Sequence, residues 1–219
     1  MNRNRILAAI LILTALLLPA AVQAHPHAWI DLRIDFQRDA DGQLTHMLHH
    51  WRFDPTYGQY LYDDAQEHQP GETPEARLQA LADEILDNLD EYRWYSHLQV
   101  EDERVDLAAA MEPRMTMEDD GLLHFRFRLQ LQTPVDPAAE PLEYKVYDPT
   151  YFIEILHQEP HGTRIVDAAG LADATCRARL DRPRPDPAMV ARALALDYGA
   201  SVDYDLGRYF AERVTLRCD

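Results

Sequence analysis

Strict alternation constrains this chain more than any other pattern in it. Ile30, Leu32, Ile34 and Phe36 are separated by Asp31, Arg33 and Asp35, an order that buries one face of a strand and wets the other. Asp39-Ala40-Asp41-Gly42 is a cluster of turn residues, and Leu44 to Phe53 then reads as the returning strand, with Met47, Trp51 and Phe53 on one face. A hairpin follows. A four-residue loop at Asp39–Gly42 sets Ile34 opposite Met47, Ile30 opposite Trp51 and His27 opposite Asp54. A two-residue turn at Asp41-Gly42 shifts the register by two and keeps the same faces. Either way the polar face carries His27, Asp31, His50 and Asp54, and the neighbouring His46, His49 and His50 read as surface histidines.

Period-two segments recur along the chain. Strands are expected at His97–Val100, Val105–Ala110, Leu142–Tyr147, Tyr151–His157, Thr163–Val166, Ala174–Leu180 and Glu212–Cys218. A second hairpin joins Met111–Met117 to Leu122–Gln132 across Glu118-Asp119-Asp120-Gly121. Thr73 and Pro74 are a helix cap and first-turn residue, and Ala76, Leu78, Leu81, Ile85, Leu86 and Leu89 continue the helical spacing towards Tyr95. Shorter helices are expected near Gly58–Glu67, Ala188–Leu196 and Leu206–Ala211. The fold class that fits is α+β and β-rich: an antiparallel β-sandwich-like domain with one long inserted helix and a short C-terminal helical segment. Residues 25–219 make a single domain, with 183–219 as a candidate small subdomain after the Pro-rich linker at Arg182–Pro187.

The first residues carry Arg3 and Arg5, then the apolar run Ile6–Leu18, Pro19, and small residues ending Val22-Gln23-Ala24. That is the form of a cleavable secretory signal, too short before Pro19 to be a spanning helix. Cleavage after Ala24 makes His25 the new terminus and sends the protein to the periplasm. It also lowers the net charge from −17 to −19 by removing two arginines, a balance that disfavours nucleic acid and anionic lipid as partners. Cys176 and Cys218 stand 42 residues apart; in an oxidising compartment they form one disulfide. Two thiols so distant lack the spacing of a thiolate metal site.

His25-Pro26-His27 is the segment with the most chemistry. A free α-amine on His25 loses its proton cheaply to a metal, so His25 offers amine and imidazole, and His27 adds a third nitrogen. Such donors suit nickel, cobalt, zinc or copper. Pro26 has no N–H, which blocks binding through deprotonated amides and leaves the chelate to be completed by side chains. Asp54, His50 and Asp148 are the candidates. Asp148 in Tyr147-Asp148-Pro149-Thr150-Tyr151 also fits a turn initiator. No nucleophile elbow, P-loop, dinucleotide fingerprint or zinc-protease motif occurs, so nothing marks an enzyme.

The opening His25-Pro-His-Ala-Trp-Ile-Asp31, with Trp51-Arg-Phe-Asp54, Tyr147–Tyr151 and the closing Leu206–Cys218, resembles domain-of-unknown-function family one thousand and seven. That family is described as the periplasmic component of an uncharacterised ABC-type transport system, and its members tend to sit beside nickel/cobalt transporters. The resemblance implies a role in transition-metal traffic with an inner-membrane metal transporter as partner. The expected function is therefore a periplasmic metal-binding accessory protein. Two other readings compete: a metal-free interaction component of a transport assembly, and a copper oxidative enzyme, because an N-terminal histidine chelate on a β-sandwich resembles the site of oxidative polysaccharide-cleaving enzymes.

Overall fold

The computed structural model describes residues 26–158, 162–166, 170, 172–195 and 205–219. The expected signal segment 1–24 and His25 lie outside the described residues. β1 (Ala28–Arg38) and β2 (Leu44–Phe53) form the expected hairpin. Two helices follow, α1 (Pro55–His68), longer than the short helix expected near Gly58–Glu67, and α2 (Pro74–Asn88), the expected long helix. Next come a short 3-10 stretch (Asp90–Tyr95), β3 (Ser96–Val100), β4 (Glu103–Val105), β5 (Leu107–Met117), β6 (Leu123–Val135), β7 (Leu142–Val146), β8 (Ile153–His157) and β9 (Thr163–Val166). β10 (Cys176–Asp181), α3 (Pro187–Leu194), a 3-10 turn (Gly207–Tyr209) within the expected Leu206–Ala211 turn, and β11 (Arg213–Cys218) complete the described elements. The fold is α+β and β-rich, with two sheets.

One sheet runs β5-β6-β2-β1-β8, with β9 also on β1; the other runs β10-β11-β7-β3-β4. The inner face of the first carries Ile30, Leu32, Ile34, Phe36, Trp51, Phe125, Phe127 and Leu129, all buried. It meets Leu98, Tyr144, Val214 and Leu216 of the second in one core, with Phe36 edge-on to Tyr144 at 5.3 Å. α1 and α2 cover the β5–β6 end; Gln79 on α2 donates to the Pro113 carbonyl at 2.8 Å. The sheets are not wholly antiparallel, because β1 pairs in parallel with both β8 and β9, end to end. β11 lies between β10 and β7, so the C-terminal strand is an interior strand of the second sheet. No helix among the described residues is long and apolar enough to cross a membrane.

The hairpin takes the second of the two expected registers, with Ile30 opposite Phe53 and Ile34 opposite His49. A register shift at Gln37/Arg38 produces it, and Asp39 Oδ1 folds the loop by accepting from the Asp41 and Gln43 N–H groups. Pairing His27 with Asp54 is therefore corrected: Trp29 stands across from Asp54, and the Asp54 N–H donates to the Trp29 carbonyl at 3.0 Å.

His49 is also corrected, from the surface to the core. It is 1% exposed and stacks on Phe127 at 4.4 Å. Trp51 Nε1–H donates to its Nδ1 at 3.1 Å, so the proton sits on Nε2 and faces Ser96 Oγ at 3.1 Å, whose hydroxyl donates on to the Trp94 carbonyl. Burial holds the imidazole well below its ordinary pKa, assisted by the nearby His50 and His157. The unfolded chain binds a proton that the folded chain refuses, so stability falls as pH drops below about 6.5. His49→Gln, which keeps both hydrogen-bonding roles without the titration, flattens the pH 7.5–5.5 slope of urea unfolding free energy by up to about 1.4 kcal/mol per pH unit. An unchanged slope would show that His49 carries no linked proton.

Candidate metal-binding terminus

The first described residues are held down. The His27 N–H donates to the Phe152 carbonyl at 2.8 Å, its ring lies 4.8 Å from the Phe152 ring, and the parallel pairing of Ala28 with Ile153 begins one residue later. The loop that receives it, Asp148–Phe152, is built by Asp148. Its Oδ1 accepts from the Thr150 N–H and hydroxyl and its Oδ2 from the Ile153 N–H, which explains how a carboxylate can be only 3% exposed. Tyr151 sits in the left-handed region at φ 59°, and its ring stacks on Phe210 at 4.0 Å. Gly207 passes so close that a Cβ there would lie 1.9 Å from the Asp148 carbonyl oxygen; only glycine permits that approach. Beside the loop, Glu154 accepts from Trp29 Nε1 at 3.0 Å and from the Tyr151 hydroxyl at 3.3 Å.

Asp54 is the N-cap of α1. Oδ1 accepts from the Thr56 and Tyr57 N–H groups and Oδ2 from the Trp29 N–H, all at 3.0 Å. The sequence signal was present, since an Asp before Pro at a helix start is a strong cap. Asp54 and Asp148 thus flank the beginning of β1 with oxygens engaged by amide donors. His50 lies elsewhere, on the outer face of the first sheet, with Nε2 3.2 Å from Asp35 Oδ2. Asp35 is 5% exposed and also receives a two-pronged grip from Arg164 at 2.8 and 2.7 Å. Burial opposes its ionisation, but His50, Arg164 and Arg33 outweigh that and hold its carboxyl far below the ordinary range. Asp31 on the same face pairs with Arg52.

The structure therefore gathers His27, Asp54 and Asp148 around one end of β1 and leaves His50 in a separate ion cluster. Among the described residues, no group of three or more His, Cys, Asp or Glu side chains is arranged to hold a metal. Without His25, the described donors do not fit a transition-metal ion. Cys176 and Cys218 are joined in a disulfide, as expected.

Sequence reasoning missed a buried cluster between the sheets. His157 donates to Glu212 through its main-chain N–H at 2.7 Å and contacts it through Nδ1 at 3.0 Å. Its Nε2 meets the Tyr144 hydroxyl at 2.9 Å, which meets Thr163 Oγ1 at 2.6 Å. Burial alone would push the Glu212 carboxyl up; the two hydrogen bonds from His157, with Arg182 nearby, hold it down instead. These partners are 55 residues apart, so no local spacing announces them.

A model of the family described as "Protein of unknown function (DUF1007)" matches residues 10–218. An uncharacterised protein of Haemophilus influenzae is 26% identical over 211 residues, covering 95% of this chain and 98% of its own length.

Proposed function

Because the chain belongs to the DUF1007 family, whose function is unknown, its role has to be argued from its own chemistry, and we propose that it is a periplasmic transition-metal-binding accessory protein that delivers a nickel, cobalt, zinc or copper ion to an inner-membrane transporter. His25 is the principal ligand, through its amine and ring after cleavage at Ala24, and His27 is the second. Asp54 and Asp148 act as scaffold, and His50 belongs to the Asp35 cluster.

The observation that carries this reading is the anchoring of His27 on Phe152. A terminal chelate gains affinity when its backbone is already ordered, because less freedom is lost on binding. Here the sheet begins one residue after His27. The acidic balance of the whole chain, −17, favours cations over anions at its surface.

The test is calorimetric titration of each of the four ions into secreted protein whose intact mass begins at His25. The comparison is a form with one alanine ahead of His25. The authentic end is expected to bind at least one ion about tenfold or more tightly than the extended form, since the extension removes the five-atom link between amine and ring. Equal affinities would remove the α-amine from the site and with it the reading.

A metal-free interaction component is the second reading. It is favoured by large aromatic side chains left in solvent, with Trp29 47%, Tyr60 61% and Tyr92 42% exposed.

A further inference from the structure

A small pocket of about 200 Å³ opens between α1, α2, the Asp90–Tyr95 stretch and the ends of β2 and β8. Five of its lining residues are aromatic: Trp51, Phe53, Tyr57, Tyr92 and Tyr95. The rings stand at different angles, as the walls of a box do. Trp51 and Tyr95 are nearly parallel, 9° apart at 6.1 Å; Tyr92 is tilted 58° from Tyr95; Tyr57 is turned 61° from Phe53.

The backbone that presents Tyr92 and Tyr95 is unusual. Arg93, Trp94 and Tyr95 have φ of 56°, 50° and 59° in succession, with no glycine among them. Such left-handed conformations are costly for L residues and cluster at ligand clamps. Bonds on both sides impose this one: Trp94 Nε1–H donates to the Leu86 carbonyl, the Trp94 N–H to the Leu89 carbonyl, and the Tyr147 N–H to the Tyr95 carbonyl. Tyr95 packs on the core, whereas Tyr92 remains 42% exposed.

The electrostatics select the ligand. No basic side chain lines the pocket. Arg93 is turned away onto Asp106 and the Val105 carbonyl. The negative charge of Glu91 is felt at Tyr92, and that of Asp148 at both Tyr92 and Tyr95. Aromatic faces under a negative potential attract cations, and methylated ammonium groups best of all because they shed water easily. The volume sets the size: it falls below the roughly 300–1,000 Å³ of a pocket for drug-sized molecules and suits a group of a few heavy atoms.

We infer that the Trp51–Tyr57–Tyr92–Tyr95 pocket is a binding site for a small organic cation carrying a trimethylammonium group. This goes beyond the metal reading and does not depend on it.

The test uses the full mature chain and nuclear magnetic resonance or calorimetric titration with tetramethylammonium and choline. Their comparator is 3,3-dimethylbutan-1-ol, which has the shape of choline without its charge. Both cations should saturate one site, and the uncharged alcohol should bind about tenfold more weakly or not at all. Tyr92→Leu should lose about tenfold in choline affinity, Tyr92→Phe should retain it within about twofold, and Tyr209→Ala, an exposed tyrosine that does not line the pocket, should leave it unchanged. Equal binding of choline and the alcohol would make the pocket merely apolar and overturn the inference. So would the absence of saturable binding, or binding to phosphatidylcholine vesicles without binding of free choline.

Discussion

Replacing Cys176 and Cys218 together by alanine is expected to lower the unfolding free energy by about 4 kcal/mol, the value the chain-entropy model gives for a loop of this length. The two residues face each other at the ends of β10 and β11, and the bridge closes a segment with a sequence separation of 42. Without it the unfolded chain gains freedom, while the folded chain keeps its ladder. A loss of this size is a large share of the roughly 5–15 kcal/mol that stabilises an ordinary domain. Because Val214 and Leu216 of β11 lie in the main core, the whole second sheet should lose stability together. Urea unfolding of the two proteins at pH 7 checks this through the midpoint. A difference under about 1 kcal/mol would mean that the reduced, unfolded chain already keeps these ends near one another.

Glu212→Leu is expected to cost about 2–5 kcal/mol, because two buried donors lose their carboxylate acceptor at roughly 1–3 kcal/mol each. The leucine leaves the His157 main-chain and ring N–H groups without their acceptor in a site where the His157 side chain is 2% exposed. Glu212→Gln keeps an oxygen for one of those donors and should cost less. Pairing Glu212→Leu with His157→Phe should recover part of the loss, because an apolar pair in the same space has no charge to bury. Additive losses would show that the two side chains do not act on each other. The pH dependence has a definite sign. The Glu212 carboxyl is held below its ordinary value in the fold, so its contribution is complete above the unfolded-state pKa and disappears as pH falls through the folded one. In Glu212→Leu the acid limb of the stability profile should flatten accordingly.

The elements governed by neighbouring residues were legible. Alternation from Ile30 to Phe36 and from Leu44 to Phe53 gave both faces of the first hairpin, because the side-chain period of a strand is two whatever the turn. The register needed the irregularity at Arg38, which no alternation can announce. Thr73 and Pro74 marked the start of α2. Its end fell at Asn88, short of Tyr95, because the chain there enters a left-handed stretch tied to Leu86 and Leu89, and nothing in Asp90-Glu-Tyr-Arg-Trp-Tyr95 signals that conformation.

The candidate site was legible only in part. The start of β1 lies against the Asp148 loop, a contact that the sequence did not announce. Asp54 was weighed as a ligand although its place before Pro55 already spelled a cap. His49 looked like its neighbours His46 and His50, yet its parity with Met47 and Trp51 sends it inward. The Asp35–Arg164 grip and the His157–Glu212–Tyr144 cluster are bonds across the fold, and one sequence carries no record of which distant residues meet.

The parallel pairing of β1 has a consequence for how the molecule is made. Ala28 pairs with Ile153 and Ile34 with Thr163, so one flank of the earliest strand waits for residues about 125 positions further on. A nascent chain stopped anywhere before β8 presents that flank as an open template for other strands. Contacts so distant along the chain also slow folding. Ribosome-bound fragments ending near residue 150 should therefore be aggregation-prone and chaperone-dependent, and fragments extended past β9 should be released from that dependence.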